Sequence, residues 1–404
     1  MKFEFPIINH INDVLPAIEG RSEFIVAERD GYKVVNYVVS MTDTFPNIML
    51  CENKHSGKLG PAFYPEDHHA IIRRECRGII FDTDGNILAR RLHKFFNINE
   101  REETQIDNVD FSRPHVILEK LDGSMITPIK IGDNIRWGTK MGLTDVAKPV
   151  EEFVKKTPKY EDFARHIISL DKTAIFEWCS RSQRIVIDYP VDRLVLTAIR
   201  NNVTGEYDSI KDMYSLASYW DIDVVNTYNG NSQSIMDFFS EVCAAEDIEG
   251  YIIRFDDGHM VKVKGEWYLR IHKTKDNLNY EKNIIDMIVK ENIDDAKAFM
   301  LKEDRKRVEE FEKKFWKGVY RTVDIYNIYF NEELAEIDRK EYAIKYMKKD
   351  TQINPQIIFA MYDKKDLLKT IIGIITNNCS TQTKIDSVRQ LWGGHNWNTE
   401  IINE

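Results

Sequence analysis

The stretch His115-Val116-Ile117-Leu118-Glu119-Lys120-Leu121-Asp122-Gly123-Ser124-Met125-Ile126-Thr127-Pro128-Ile129-Lys130-Ile131 decides how the chain is read. Two apolar, β-branched runs flank a tight Asp-Gly pair, which is the pattern of strand, turn and strand. Lys120 closes the first run. A lysine at the end of rigid strand backbone can be aimed into a cleft, although the segment taken alone reads first as a hairpin with a solvated lysine.

Working outward, runs of the same kind recur at 31–41, 77–92, 173–178, 193–207 and 250–268, with further Asp-Gly pairs at 84–85 and 257–258. Helical patterns interrupt them at 145–170 and 233–245. This part reads as α+β with a large, mainly antiparallel sheet. The segment 51–72 reads as an insertion forming a surface loop, and His68-His69 falls within it. Beyond about residue 280 the apolar spacing changes to three and four, over 281–303, 304–332, 338–349, 355–377 and 381–393. Val308, Phe311, Phe315, Val319, Val323 and Tyr326 form one stripe, best read as the core of a bundle. Ten of the eleven prolines lie at or before Pro190, which supports a separate helical part. The expected division is 1–278 and an all-helical 279–404.

Composition removes several classes. With 43% hydrophobic and 30% charged residues among 404, the chain reads as globular and not disordered. No apolar run approaches the ~20 residues of a membrane span, and the opening MKFEFPIINH holds no long apolar core. The five cysteines are scattered without a Cys-x-x-Cys pair, so a reducing cytoplasmic setting fits and a disulfide framework does not. The net charge of −10 argues against a general nucleic-acid coat protein.

Four elements downstream change the weight of Lys120. Phe176-Glu177-Trp178 sets a carboxylate in an apolar strand, and Glu249-Gly250 opens another strand. Lys262-Val263-Lys264 then puts two amines on one strand face, because side chains alternate. A lysine nucleophile, two carboxylates and a cationic pair in this order match the motif order of covalent nucleotidyltransferases, the ATP-dependent ligases and RNA-capping enzymes.

The sequence further resembles the T-even phage RNA ligase 1 family, ATP-dependent ligases that repair cleaved tRNA. The likeness rests on those motifs, on Glu75-Cys76-Arg77-Gly78-Ile79-Ile80-Phe81, and on Lys94-Phe95-Phe96-Asn97-Ile98-Asn99-Glu100. Trp267-Tyr268, His272-Lys273-Thr274-Lys275, Arg184-Ile185-Val186, Ala198-Ile199-Arg200-Asn201 and Thr204-Gly205-Glu206-Tyr207 match as well. It covers most of 25–300 and fades after about residue 310.

The resemblance implies an antiparallel-sheet adenylyltransferase domain followed by helices. It implies that Lys120 attacks ATP to form lysyl-AMP, that AMP passes to an RNA 5′-phosphate, and that a 3′-hydroxyl then displaces it. Arg77 and Lys94 are expected on the β- and γ-phosphates, Tyr37 against the ATP, Glu177 on the ribose, and Lys262 and Lys264 on the α-phosphate. A core tyrosine fits Tyr37 as well. Glu249 is expected to organise the lysines or a metal, Tyr268 to serve ligation, and Lys140 to meet phosphate or RNA. Asp294 matches a family metal position but also reads as a helix-start carboxylate. The expected cofactors are ATP and Mg²⁺. The expected partners are single-stranded RNA ends, tRNA foremost, and an end-healing kinase and phosphatase, with the chain itself a monomer. No base-stacking aromatic stands out in Leu196-Thr197-Ala198-Ile199, so aliphatic side chains are expected to hold adenine.

A DNA ligase or capping enzyme of the same superfamily is the nearest alternative, but those place a β-barrel where this chain turns helical. A non-catalytic RNA-binding protein on a ligase scaffold is the other. Residues 281–404 carry 21 Lys+Arg against 22 Asp+Glu, so nearly all of the acidic excess falls in the proposed catalytic part. There the cations group near the motifs, as Arg73, Arg74 and Arg77, Arg90, Arg91 and Lys94, and Lys262, Lys264, Arg270, Lys273 and Lys275. Such strips on an acidic body suit brief holding of an RNA end.

Overall fold

The structure is a computed structural model that describes residues 3–39, 44–46, 48, 65–228, 230, 234–297, 299–300, 302–330, 337–347 and 354–397. The chain forms two compact units, Met1–Leu269 and Arg270–Glu404.

The first unit is α+β. Its strands are β1 (Phe24–Arg29), β2 (Tyr32–Tyr37), β3 (Arg77–Phe81), β4 (Ile87–Ala89), β5 (Phe96–Asn97), β6 (His115–Lys120), β7 (Ser124–Ile131), β8 (Asn134–Gly138), β9 (Lys172–Cys179), β10 (Arg193–Asn201), β11 (Gly250–Phe255) and β12 (Met260–Lys264). They make three four-stranded sheets, ordered β1-β2-β3-β4, β10-β9-β7-β8 and β5-β12-β11-β6, where one large sheet was expected. Every described pairing is antiparallel except β12 with β5.

Two of the three sheets part at Asp122-Gly123. Asp84-Gly85 and Asp257-Gly258 do sit between paired strands, β3–β4 and β11–β12. Asp122-Gly123 does not close a hairpin, because β6 pairs with β11 while β7 pairs with β8 and β9. The chain crosses there from one sheet to another. Gly123 is needed at the crossing, since a Cβ would overlap the Trp178 carbonyl.

Alternation divides each strand between core and cleft. On β11, Ile253 and Phe255 pack with Phe238, Phe239 and Val242 of the helix Ile235–Ala244, and Ile252 and Arg254 face the other way. On β9, Phe176 and Trp178 join the core beneath the helices Lys148–Lys156 and Lys159–Ser169, which leaves Glu177 to the cleft.

Several readings need correction. The helical pattern at 145–170 is two helices, because Thr157-Pro158 separates them and proline cannot continue the first. Residues 65–72 are not loop but most of the helix Pro65–Glu75, with Ala70, Ile71 and Ile72 buried and Arg73 and Arg74 in its last turn. Residues 51–64 of the expected insertion lie outside the described residues. The run 250–268 leaves the sheet at Lys264, and Glu266–Leu278 is a helix. The helix Ile210–Tyr219 had no counterpart in the sequence reading.

The second unit is helical throughout its described residues. The helix Lys302–Phe330 carries the expected stripe, and Val308, Phe311, Phe315, Val319 and Tyr326 are all buried in one core with Ile371, Ile375 and Trp392. The segment 281–303 breaks into Glu281–Val289 and Ile293–Lys297, and 355–377 into Pro355–Tyr362 and Leu367–Asn378. No helix among the described residues is long and apolar enough to cross a membrane.

Candidate active site

A cleft of about 310 Å³ opens between the inner faces of the sheets in the first unit. Register places the charged groups. Gly250 of β11 lies opposite Lys120 on one side and Lys264 on the other. Glu249 therefore reaches both amines, with Oε2 2.8 Å from Lys120 Nζ and Oε1 2.8 Å from Lys264 Nζ. Gly250 has φ +144°, and a Cβ there would overlap the Val263 carbonyl, so only glycine lets the strands approach this closely.

Glu177 enters from the opposite sheet. Enclosure by the cleft walls pushes its carboxyl up to about 7, against the pull of Lys120 and with a further push from Glu249. Lys262 shows the converse. Burial first, then Lys94 and Lys120, bring its ammonium down to about 7.

At one side of the cleft Arg77, Lys94 and Lys140 surround Tyr37. Lys94 Nζ lies 5.5 Å and Lys140 Nζ 5.3 Å from the Tyr37 ring. Burial raises the Tyr37 phenol, but Arg77, Lys94 and Lys140 together outweigh it and leave the group below its ordinary value. Arg77 Nη1 also approaches Met125 Sδ at 3.8 Å. Among the described residues, Arg77, Lys94, Lys140 and Lys262 form no ion pair. Uncompensated positive charge in a concave site is the environment a polyphosphate takes.

Asp122, a turn residue by sequence, supports the site from behind the cleft lining. Its Oδ2 accepts the backbone N–H groups of Val186 and Ile187 at 2.7 Å each, and its Oδ1 accepts from Tyr268 Oη at 2.7 Å. The Asp122 N–H donates to Tyr189 Oη at 2.9 Å. These bonds fasten the crossing two residues after Lys120. Tyr268 is thereby buried at the start of the helix Glu266–Leu278, with Lys264 Nζ 5.1 Å from its ring. Burial, Glu249 and the bond to Asp122 raise its phenol well above the usual range. The signal was present, since Asp122 belongs to the Lys-x-Asp-Gly motif. Its partners at 186–187 are 64 and 65 residues away and could not be read.

The structure thus brings together Tyr37, Arg77, Lys94, Lys120, Glu177, Lys262 and Lys264 as cleft lining, with Glu249 and Tyr268 directly behind. Asp294 is not among them. It lies in the second unit on the helix Ile293–Lys297, 84% exposed, with Oδ1 2.9 Å from Lys297 Nζ. No cluster of three or more His, Cys, Asp and Glu side chains able to hold a metal occurs among the described residues. The expected aliphatic lining is there as Leu118, Val225 and Ile252, together with Thr197 at an irregularity of β10.

The expected basic strips need correction. Arg73, Arg74, Arg90 and Arg91 are buried and bond internal groups. Arg90 Nε and Arg200 Nη1 lie 3.0 and 2.8 Å from Glu75 Oε2. Arg74 pairs with Glu103 at 2.7 Å, and Arg73 donates to the Thr44 and Ala17 carbonyls. Clustering of arginines here reflects interior bonding.

A lysine on a shared carboxylate faces a second carboxylate across a cationic cleft between antiparallel sheets. Comparison with known proteins refines this. The family model described as RNA ligase matches residues 75–268, and that described as T4 RNA ligase 1, C-terminal domain, matches 275–395. The two domains follow in order and span more than three quarters of the chain, which belongs to the T4 RNA ligase 1 family. A Thermovibrio ammonificans protein named "Putative RNA ligase" is 29% identical over 221 residues, 52% of this chain and 55% of that one. RNA ligase 1 of bacteriophage TS2126 is 25% identical over 211 residues, 49% of this chain and 51% of that one. The chain thus aligns with about half the length of these curated relatives. Among solved structures, an archaeal ATP-dependent RNA ligase aligns with 66% of this chain and 64% of its own at 12% identity and a TM-score of 0.42.

Proposed function

We propose that the protein is an ATP-dependent RNA ligase that joins 5′-phosphate and 3′-hydroxyl ends through lysyl-AMP and RNA-adenylate. One observation carries this reading: Lys120 sits on a carboxylate shared with Lys264, inside a cleft where, among the described residues, Arg77, Lys94 and Lys262 form no ion pair.

In this reading Lys120 Nζ forms a bond to the α-phosphorus of ATP, and pyrophosphate leaves with the electrons of the broken P–O bond. The amine must first lose its proton, because only the neutral nitrogen has a lone pair to attack phosphorus. Glu249 holds Lys120 in place, and Lys262, Lys264 and Lys94 line the cleft beside it. Those same cations offset the charge of the five-coordinate phosphorus. Arg77 and Lys94 hold the β- and γ-phosphates and Glu177 accepts from the ribose hydroxyls. A divalent cation, Mg²⁺ by hardness, supplies charge neutralisation at phosphate oxygens when bound. Glu177, which lines the cleft, and Glu249, directly behind it, are the carboxylates that would hold it.

The substrate in this reading is single-stranded RNA ends, with cleaved tRNA as the biological target and an end-healing kinase and phosphatase preparing them. The helical unit contributes to holding the tRNA, the enzyme acts as a monomer, and a cytoplasmic setting suits the free thiols of Cys76, Cys179, Cys243 and Cys379.

The test is transfer of labelled AMP from ATP to the protein in the presence of Mg²⁺. The adduct is expected to be acid-labile, to survive denaturation and to vanish in Lys120→Ala. An adduct that persists in Lys120→Ala overturns the mechanism. Faster sealing of nicked duplex DNA than of 5′-phosphorylated single-stranded RNA overturns the substrate.

A further inference from the structure

Arg254 is the one cleft-lining cation that the motifs do not account for. It is 5% exposed, yet it lines the cleft. Its Nη2 donates to the Asp208 carbonyl, and its guanidinium lies 5.0 Å from the Tyr207 ring. Tyr207 stacks in turn on Arg200, 4.7 Å away, and Arg200 is anchored by Glu75. The Asp208 carboxylate is already taken by Lys172 at 2.7 Å. Among the described residues, Arg254 Nη1 has no hydrogen-bond partner. A buried guanidinium N–H without an acceptor is costly, and native structures normally supply one.

Register places Arg254 relative to Lys120. Along β11 the rows are Gly250 opposite Lys120, Ile252 opposite Leu118, and Arg254 opposite Val116. Arg254 therefore lies two rows beyond the Lys120 amine on the same sheet face, roughly 13 Å along the strand. The intervening wall is Leu118, Ile252, Val225 and Thr197, which is apolar enough to take a flat ring. A nucleotide held by its α-phosphorus at Lys120 and its ribose at Glu177 has only its base left to reach that row.

We infer that Arg254 Nη1 donates a hydrogen bond to a ring nitrogen of the adenine base, which makes Arg254 a base-contact residue. A guanidinium has donors and no acceptor. It therefore pairs with N1, N3 or N7 and not with the 6-amino group. The column Glu75–Arg200–Tyr207–Arg254 is the positioning apparatus, and it fixes the donor before the base arrives. The assignment rests on the reading of the cleft as an ATP site.

The experiment measures KM and kcat of self-adenylylation for the full chain, Arg254→Met and Arg254→Lys. The substrates are ATP and its 1-deaza, 3-deaza and 7-deaza analogues. Arg254→Met is expected to raise KM for ATP roughly ten- to hundred-fold, the weight of a hydrogen bond from a charged donor, with kcat little changed. Arg254→Lys keeps a donor and recovers part of the loss. One deaza analogue is expected to show the same rise with the wild-type enzyme and no further rise with Arg254→Met. If Arg254→Met does not fold, the analogue series on Arg254→Lys carries the same comparison. Unchanged KM in the variants, or an equal loss on ATP and all three analogues, overturns the assignment alone. No labelling of the wild-type chain overturns the reading of the cleft, and the assignment falls with it.

Discussion

The two units solve the problem of a stable interior in opposite ways. Among the described residues, the second unit buries apolar side chains almost exclusively, and its buried polar residues are Thr274 and Glu281. The first unit buries Glu75, Arg73, Arg74, Arg90, Arg91, His93, Asp122, Arg200, Glu249 and Arg254. A buried charge costs several kcal/mol and returns it only through good partners. The first unit supplies them, and most lie on or near the strands that form the cleft. Buried charge is concentrated in the unit that holds side chains at fixed angles for chemistry.

The largest effect expected from this contrast is at Glu75. Glu75→Gln leaves Arg90 and Arg200 sharing a neutral amide in a fully buried site. Stability measured by urea unfolding is expected to fall by about 3–5 kcal/mol, and a loss under about 1 kcal/mol breaks the comparison.

Asp122→Asn comes next. It keeps one acceptor oxygen but loses the charge that holds two backbone N–H groups and Tyr268. Single-turnover AMP transfer is expected to slow by about ten- to a hundred-fold, the weight of about 1.5–3 kcal/mol for hydrogen bonds to a charged group. An unchanged rate shows that the crossing does not position Lys120.

A smaller and pH-dependent effect is expected at Lys262. Its folded pKa of about 7 lies below its ordinary value of 10.5. Between those values the unfolded chain holds a proton that the folded chain has released, so this residue's contribution to stability rises with pH across that window and is least favourable below 7. Polyphosphate bound beside Lys262, as proposed, is expected to restore the proton. ATP affinity is therefore expected to weaken as pH rises above 7, by up to about tenfold per pH unit, with proton uptake visible by calorimetry in two buffers. Lys262→Gln is expected to abolish the uptake; uptake that persists assigns it elsewhere.

The smallest effect belongs to the second unit. Ile371→Val removes one methylene from an apolar core and is expected to cost about 0.5–1.5 kcal/mol by urea unfolding. A cost as large as that of Glu75→Gln erases the contrast.

The same contrast explains what the sequence could reveal. The second unit was legible almost residue by residue in the stripe from Val308 to Tyr326, because apolar periodicity is the signal and burial is the outcome. The cleft was legible wherever a motif encoded it. Lys120, Glu249 and Lys264 meet because register follows from strand alternation around Gly250. The buried charges were not legible. Glu75, Arg90 and Arg200 are joined across as many as 125 residues, and each alone reads as a solvated side chain. Arg254 likewise looks like the polar face of an edge strand until its neighbours are known. The helix at Glu266 was hidden because Glu266-Trp267-Tyr268 continues the aromatic character of the strand before it.

Gly250 carries one more consequence. The main chain of β11 there lies so close to Val263 that the gap between neighbouring strands is set by backbone against backbone. Lys264 hangs from β12 across that gap, while Lys120 hangs from β6 on the other side of β11. The approach of Lys264 to β11 is therefore insulated from drift in the hydrophobic side chains beneath. Substitutions can accumulate in the surrounding core, and weaken the fold, while that approach stays in gauge. The core is left free to evolve for temperature or abundance without retuning the reaction centre at each step.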